Sequence, residues 1–216
     1  MGRRFFNWLD ERLNLRPLVD SLVNHPVPPF VNFWHCFGGL TFAVIALQVL
    51  TGMFLLIYYV PSPDHAYASV RFIEQQVLFG RLVRGLHRVG GSAAVIFVVI
   101  HMLRVYFQGA YKKPRELNWI AGVLLLITVL GFGFTGYLLP WDQRAYWATV
   151  VGTNIAGSMP LIGTFVLRVV RGGTDLGAVT LARFFAVHVW FLPLGLIILL
   201  AAHFLMVRRQ GVSGPY

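Results

Sequence analysis

Long stretches without a charged side chain alternate with short charged segments along this chain. Residues 21–63 contain no Asp, Glu, Lys or Arg, and neither do residues 117–141 or residues 184–207. A membrane-spanning helix needs about 20 mostly apolar residues to cross roughly 30 Å of hydrocarbon, and each stretch is long enough. The pattern therefore predicts three transmembrane helices, at about residues 33–60, 117–139 and 180–207.

A further crossing, second in chain order, is interrupted by arginines. Only the run from Val89 to Leu103 separates Arg88 from Arg104, which is too short to span a bilayer. We expect this helix to extend past both arginines, over about residues 82–109, with the Arg104 stem reaching back to the interface.

The N-terminal segment, at 1–32, has a different pattern. Phe5, Leu9 and Leu13 recur at every fourth position, while charged residues occupy the other sides of the helix. This spacing is typical of an amphipathic helix lying in the membrane interface and not of a secretory signal. The expected fold is all-α: an integral membrane four-helix bundle preceded by an interfacial segment at 1–32, forming a single domain over 1–216.

Composition and charge agree with a membrane protein. Charged residues make up 12% of the chain, against about 25% in soluble domains. The net charge of +10 does not indicate nucleic acid, because the basic residues flank the apolar runs. Four crossings put both termini on one side, and the Lys/Arg clusters there predict the negative (cytoplasmic or stromal) side. On the other side, the connection 140–179 is long enough to be functional.

Four histidines lie within the predicted helices. His87 and His101 are fourteen positions apart on the second helix, and His188 and His203 are fifteen positions apart on the fourth. Each pair is separated by about 21–22 Å along its axis, and fourteen steps return to within about 40° of the starting direction. Fifteen steps miss by about 60°, a difference that a kink at Pro193 could absorb.

The second and fourth helices run the same way, so His87 is level with His188, and His101 with His203. Two facing imidazoles at two depths predict two bis-histidine haems stacked across the bilayer. A single intramembrane histidine can be a hydrogen-bonded structural residue, but four in two matched layers indicate function.

Glycines repeat at the same interval. Gly38 and Gly52 on the first helix are fourteen positions apart, and so are Gly122 and Gly136 on the third. Gly38 and Gly122 fall at the His101/His203 level and the other two at the His87/His188 level. We expect them to leave room for a flat macrocycle, although small-residue helix packing also explains glycines. Arginines near the histidines are candidate partners of haem propionates or, equally, interfacial anchors: Arg84, Arg88, Arg183 and Arg208.

By these residues the chain resembles cytochrome b6, the four-helix half of a split cytochrome b. The longer histidine spacing on the fourth helix is typical of that family. The matching stretches cover nearly the whole chain in order: "FGGLTF", "GLHRVGGSAA", "HMLRVYFQGAYKKPREL", "GFTGYLLPWDQ", "TLARFFAVH" and "HFLMVRRQGVSGP".

The resemblance implies a subunit of a quinol:electron-acceptor oxidoreductase that works by a proton-translocating Q cycle. Quinol would be oxidised on the positive side, near the motif Pro140, Trp141, Asp142 and Gln143. One electron would go to a Rieske iron–sulfur protein and on to a c-type cytochrome. The other would cross through the His87/His188 and His101/His203 haems to reduce quinone on the negative side. The family's "PEWY" motif is absent, so a separate subunit-IV-like chain is expected to complete the site within a dimeric complex.

The only cysteine, Cys36, lies just before Gly38. Taken alone, a free buried thiol is the commoner interpretation, and a single cysteine excludes an intrachain disulfide. In the family that the chain resembles, a cysteine here holds a third haem, of c type, by one thioether. The resemblance therefore implies the same for Cys36. His35 could contact that haem, but an interfacial role is the simpler expectation.

Two other classes of protein stay open from sequence. One is the dihaem b-type membrane anchor of a hydrogenase or another quinone-linked dehydrogenase, which also uses four helices and histidine ligands. The other is a cofactor-free transporter or assembly protein. The quinone is plastoquinone or menaquinone, and departures from the chloroplast pattern, such as His35, favour a bacterial menaquinol enzyme.

Overall fold

The computed structural model describes residues 2–23 and 28–214, and over these ranges it contains helices and no β-strand. Residues 1–32 and 33–216 form two separate compact units. The predicted all-α class is confirmed. Residue 1 and residues 24–27 of the predicted interfacial segment lie outside the described residues.

The N-terminal unit contains two helices, α1 (Gly2–Leu13) and α2 (Arg16–Val23). The Arg12 guanidinium lies over the Trp8 ring, 4.3 Å from its centre. Arg16 pairs with Asp10 across the turn between the helices, with 2.9 Å between Nε and Oδ2. Phe5 and Leu13 are 63% and 62% exposed. The predicted amphipathic helix is therefore present, and its location at a membrane surface stays a prediction.

The second unit contains four helices long and apolar enough to cross a membrane, as predicted. In chain order its elements are α3 (Cys36–Tyr58, preceded by a 3-10 turn at Phe33–His35), α4 (Ala66–Gln76), α5 (Gly80–Phe107), α6 (Glu116–Leu138), α7 (Gln143–Gly157), α8 (Gly163–Arg171), α9 (Ala178–Ala186), a π-helical turn (Val187–Phe191) and α10 (Leu192–Gln210). The first three spanning helices are α3, α5 and α6. The fourth is α9, the π-helical turn and α10 together, over Ala178–Gln210.

One of the two apolar core clusters found among the described residues lies at mid-height in the bundle. Helix α3 packs mainly against α5, and α6 against α10. Small and branched side chains from all four helices meet there: Ile45, Ala94, Val98, Leu125, Val129 and Leu196. The outward faces are also apolar, as at Ile57, Ile127 and Ile197, which are 73%, 58% and 65% exposed. Apolar side chains facing outward all round a bundle are typical of helices surrounded by lipid.

The long connection at 140–179 proves to be largely helical. It contains α7 and α8, and Arg171 at the end of α8 is only 7% exposed. Its guanidinium donates to the Thr153 hydroxyl and the Asn154 side-chain oxygen, each at 2.8 Å. Since a buried charge needs such partners, Arg171 holds α7 and α8 together. The first loop on the same side likewise contains α4.

Candidate functional site

The four histidines meet in pairs inside the bundle. The ring centres of His87 and His188 are 6.4 Å apart, and those of His101 and His203 are 6.5 Å apart. We call the first level, with its threonines and glycines, the His87 layer; its members are Thr51, Gly52, His87, Thr135, Gly136 and His188. The second level is the His101 layer; its members are Gly38, His101, Gly122 and His203.

Both separations fit two imidazoles that would bind one metal ion between them. A metal–imidazole nitrogen bond is about 2 Å, which places two such ring centres roughly 6 Å apart. Over the described residues, no group of three or more His, Cys, Asp or Glu side chains is placed to hold a metal ion. Two imidazoles alone would leave most of a metal's coordination positions open, and a haem supplies the other four nitrogens itself. The residues present therefore fit a bis-histidine haem in each layer.

The fifteen-position spacing on the fourth helix is accommodated by the π-helical turn at Val187–Phe191, which contains His188. A π-helical turn bonds i to i+5 and so holds one residue more than an α-helical turn. The extra residue is taken up locally, and His203 then lies opposite His101. From sequence, a kink at Pro193 was one way to absorb the difference. The structure has a π-helical turn directly before α10, with Pro193 in the first turn of that helix.

Threonine hydroxyls contact both histidines of the His87 layer. Thr51 Oγ1 lies 2.9 Å from His87 Nδ1, and Thr135 Oγ1 lies 3.0 Å from His188 Nδ1. These threonines were not among the residues selected from sequence. The available signal was that each directly precedes the glycine of its layer, as Thr51-Gly52 and Thr135-Gly136.

The four glycines make room for the imidazole rings themselves. A methyl group at Gly136 would come within 2.6 Å of His188 Cε1, and one at Gly52 within 3.2 Å of His87 Cε1. In the other layer, a methyl group at Gly38 would be 3.1 Å from His101 Cε1, and one at Gly122 would be 3.8 Å from His203 Cε1. Each glycine thus lies at the depth of its predicted histidine pair. The group that would be nearest to a side chain at each position is a histidine ring.

The arginines selected from sequence have varied surroundings. Arg84 forms an ion pair with Glu74 of α4, and Arg183 donates to the Val169 carbonyl. Arg88 and Arg208 are exposed at the two ends of the bundle.

Arg104 differs from what the sequence indicated. Sequence reasoning assigned it only an interfacial role, yet its Nε and Nη2 are buried without a hydrogen-bond partner in the part of the chain that the structure describes. Arg104 lies one helical turn after His101, so it is on the same face of α5.

The motif at Pro140–Gln143 connects α6 to α7. Trp141 adopts a left-handed backbone conformation with φ of 52°, which a bulky residue rarely adopts. Asp142 caps α7 by accepting a hydrogen bond from the Ala145 amide at 2.8 Å. A cleft of about 450 Å³ opens here, lined by Pro63, Tyr67, Trp141, Asp142, Gln143 and Arg144. The motif therefore faces an accessible cleft beside the loop that contains α4.

Cys36 begins α3, and its thiol is exposed. Two steps along a helix correspond to about 200° of rotation, so Cys36 and Gly38 lie on nearly opposite faces. Because Gly38 faces His101, the Cys36 side chain points away from the bundle interior.

Comparison with known proteins decides the family. The family model described as Cytochrome b/b6/petB matches residues 22–211. The chain belongs to the cytochrome b/b6 family. Over the full length of both chains, it is 53% identical to the menaquinol:cytochrome c reductase cytochrome b subunit of Bacillus subtilis (strain 168). The cytochrome b6 of Cyanidium caldarium is 45% identical over 98% of this chain and 99% of its own length.

A solved chain of a hyperthermophilic respiratory complex III has the same fold, with a TM-score of 0.89 and 35% identity. The match covers 97% of this chain, which spans 56% of that longer chain. The resemblance seen in the sequence is therefore confirmed. Membership of the cytochrome b/b6 family implies b-type haem and interaction with a quinone.

Proposed function

We propose that this chain is the dihaem cytochrome b subunit of a quinol:electron-acceptor oxidoreductase, carrying electrons between the two sides of a membrane. The observation that supports this most is the pair of histidine layers, with ring centres 6.4 Å and 6.5 Å apart. His87 and His188 would bind the iron of one haem, and His101 and His203 the iron of the other. When bound, haem supplies one-electron redox chemistry.

The protein itself positions the histidine rings and keeps water out of the space between the two layers. The π-helical turn orients His188, and the glycines of α3 and α6 let the imidazoles pack against those helices. The apolar side chains between the layers offer no partner to a polar or charged group, so water and ions are excluded from that part of the bundle.

Basic side chains at both ends of the bundle are proposed to bind the haem propionates. Arg104 is the best supported, because two of its buried nitrogens have no other partner among the described residues. Arg88, Arg183 and Arg208 are proposed for the same role. Arg84 would take part only if its ion pair with Glu74 opened.

Pro140, Trp141, Asp142 and Gln143 are proposed to form part of the quinol-oxidation region. The cleft beside them and the left-handed Trp141 support this, since unusual backbone conformations cluster at functional sites. We propose menaquinol as the quinol, because the two bacterial menaquinol:cytochrome c reductase relatives are 52% and 53% identical to this chain.

The proposed partners follow from the same relatives. A subunit-IV-like chain would complete the quinol site, and its counterpart would be the remaining part of the longer solved chain. A Rieske iron–sulfur protein and a c-type cytochrome would accept electrons in a dimeric complex. Both termini are proposed to lie on the negative side of the membrane.

Cys36 is proposed to hold a c-type haem through one thioether. Because the thiol points away from Gly38, that haem would lie outside the four-helix interior. The test is haem staining of this chain after denaturation and acid–acetone extraction. Stain that is present in the wild type and lost in Cys36→Ala supports the proposal, while unstained wild type or stained Cys36→Ala contradicts it.

The function is tested on the purified intact complex. We expect two b-type haems per copy of this chain, together with menaquinol-dependent reduction of cytochrome c that quinone analogues inhibit. A dihaem anchor of another dehydrogenase would show the haems without cytochrome c reduction. A complex with no b-type absorption on reduction would contradict the proposal entirely.

A further inference from the structure

Two buried threonines connect the backbone of α3 and α6 to the histidines of the His87 layer. Thr51 and Thr135 are 6% and 8% exposed. Besides its contact with a histidine Nδ1, each hydroxyl lies 2.7 Å from the carbonyl oxygen one helical turn earlier, that of Leu47 for Thr51 and that of Gly131 for Thr135.

These distances favour one direction for the hydrogen bonds, because a carbonyl oxygen can only accept. A hydroxyl has one hydrogen to donate and two lone pairs to accept with. If that hydrogen goes to the carbonyl, the threonine oxygen can only accept from Nδ1–H of the histidine. The proton then resides on Nδ1, and the Nε2 lone pair is free for a metal, as second-shell partners of ligating histidines commonly arrange.

The His101 layer has different side chains in place of these threonines. The residues that precede its glycines are Phe37 and Ala121, and His101 Nδ1 is buried without a hydrogen-bond partner within the described ranges. Backbone groups also lie beside three of the four histidines, Gln48 beside His87, Phe132 beside His188 and Asn118 beside His203. Substituting the threonine side chains leaves these backbone groups in place, so such substitutions test the hydroxyls alone.

Resting on the proposed function, we propose that Thr51 and Thr135 are positioning residues that lower the reduction potential of the haem iron in the His87 layer relative to that in the His101 layer. An acceptor at Nδ1–H makes the imidazole a stronger electron donor to the metal, and this stabilises the oxidised iron. Hydrogen bonding in the second shell is one of the ways a protein adjusts a haem potential. The difference favours electron movement from the His87 layer toward the His101 layer.

The test is potentiometric titration of both haems in the purified complex carrying Thr51→Val and Thr135→Val. Valine keeps the shape and removes the hydroxyl, so the potential of the His87-layer haem should rise while the other stays unchanged. Each tenfold change in the electron-sharing equilibrium between the layers corresponds to about 59 mV for one electron. Thr51→Ser with Thr135→Ser keeps both hydroxyls and should restore the wild-type potential.

Thr41→Val is the matched control. Thr41 is a buried threonine of the same helix α3, and its hydroxyl also donates to the carbonyl one turn earlier, that of Phe37, at 2.7 Å. That hydrogen bond involves no histidine, so neither potential should move. If the valine variants lose haem, the single variants Thr51→Ala and Thr135→Ala, compared with their serine counterparts, must show the same upward shift.

Four results would overturn the inference: unchanged potentials in the variants, a downward shift, serine variants that behave like valine, or an equal shift in Thr41→Val. Failure of the proposed function would look different, because the wild-type complex would then lack one or both b-type haems. Failure of this inference would leave two haems whose potentials do not respond to the threonines.

Discussion

The two histidine layers are built on the same plan and differ in their immediate surroundings. Both place one histidine from α5 opposite one from the fourth spanning helix, with a glycine of α3 or α6 against each ring. In the His87 layer, the rings contact threonine hydroxyls and one histidine lies in a π-helical turn. In the His101 layer, Phe37 and Ala121 take the place of those threonines, and the partly buried guanidinium of Arg104 lies one turn beyond His101.

Comparing the two layers distinguishes the features that bind a haem from the features that set its reduction potential. Spacing along the helices brings the same ligand geometry to both depths, since the ring separations are nearly equal, at 6.4 Å and 6.5 Å. Neighbouring side chains, which do not repeat at the histidine interval, make the two environments unequal. We therefore expect haem binding to depend on helix register. The difference between the two haem reduction potentials should depend on the side chains next to the histidines.

The largest effect should come from changing that register. Deleting Ile96 from the regular helix α5 rotates everything beyond it by about 100° and shifts it by about 1.5 Å, so His101 turns away from His203. We expect loss of the His101-layer haem with the His87-layer haem retained, measured by haem-to-chain ratio and reduced-minus-oxidised spectra.

Deleting Val189 is the matched change in the fourth helix. It removes one residue from the π-helical turn, which can then close as an ordinary α-helical turn and leave His203 facing His101. Both haems should be retained. If both deletions caused the same loss of haem, the π-helical turn would not be the feature that absorbs the extra residue.

Much of this arrangement could be predicted from sequence, because it depends on helical periodicity. Uncharged stretches located three of the four spans, and extending the shorter run between Arg88 and Arg104 located the other. The regular intervals placed each histidine and glycine at the depth where the structure has it. The π-helical turn could not be predicted, since a spacing that is one position longer does not show whether a kink or an extra residue absorbs the difference. A kink at Pro193 was the explanation that the sequence suggested, because a proline is visible in sequence and a π-helical turn is not.

The contacts that individual side chains make were harder to predict than the depth of a residue in the bundle. Arg84 was selected for its distance from His87, but its ion pair with Glu74 depends on α4, a helix within what the sequence indicated only as a loop. Thr51 and Thr135 are ordinary apolar-helix threonines in sequence, and only the packing of α3 against α5, and of α6 against the fourth helix, brings them to the histidines. Arg104 looked like an interfacial side chain, because burial of its nitrogens depends on the surrounding helices.

A second, smaller effect should come from the glycines. At Gly136 a methyl group would lie 2.6 Å from the His188 ring, so Gly136→Ala must displace that ring, whereas at Gly122 the distance of 3.8 Å is ordinary contact. We expect Gly136→Ala to destabilise the His87 layer by about 1–3 kcal/mol, as overpacking does. Thermal loss of the haem absorption band measures this.

Gly122→Ala should leave both haems in place, with Gly38→Ala and Gly52→Ala intermediate. If Gly122→Ala lost its haem absorption band as readily as Gly136→Ala, these glycines would make room for something other than the imidazole rings.

The arginines are expected to have an effect comparable to that of the glycines. Arg104→Gln removes a cation whose buried nitrogens lack a partner among the described residues, and a hydrogen bond to a charged group contributes about 1.5–3 kcal/mol. We expect weaker retention of the His101-layer haem and a lower potential for it, because a nearby positive charge favours the reduced form. Arg88→Gln, at an exposed position, should change stability by no more than about 0.5 kcal/mol. Equal effects of the two substitutions would argue against a propionate contact at Arg104.

The most direct test of the central claim, that each layer binds one haem, is the haem content of His188→Leu and His203→Leu complexes. Each variant should retain one of the two b-type haems per chain, and the absorption bands that survive should differ between them. His188→Leu should keep the His101-layer band, and His203→Leu the His87-layer band. Retention of both haems in either variant, or loss of the same band in both, would contradict the account.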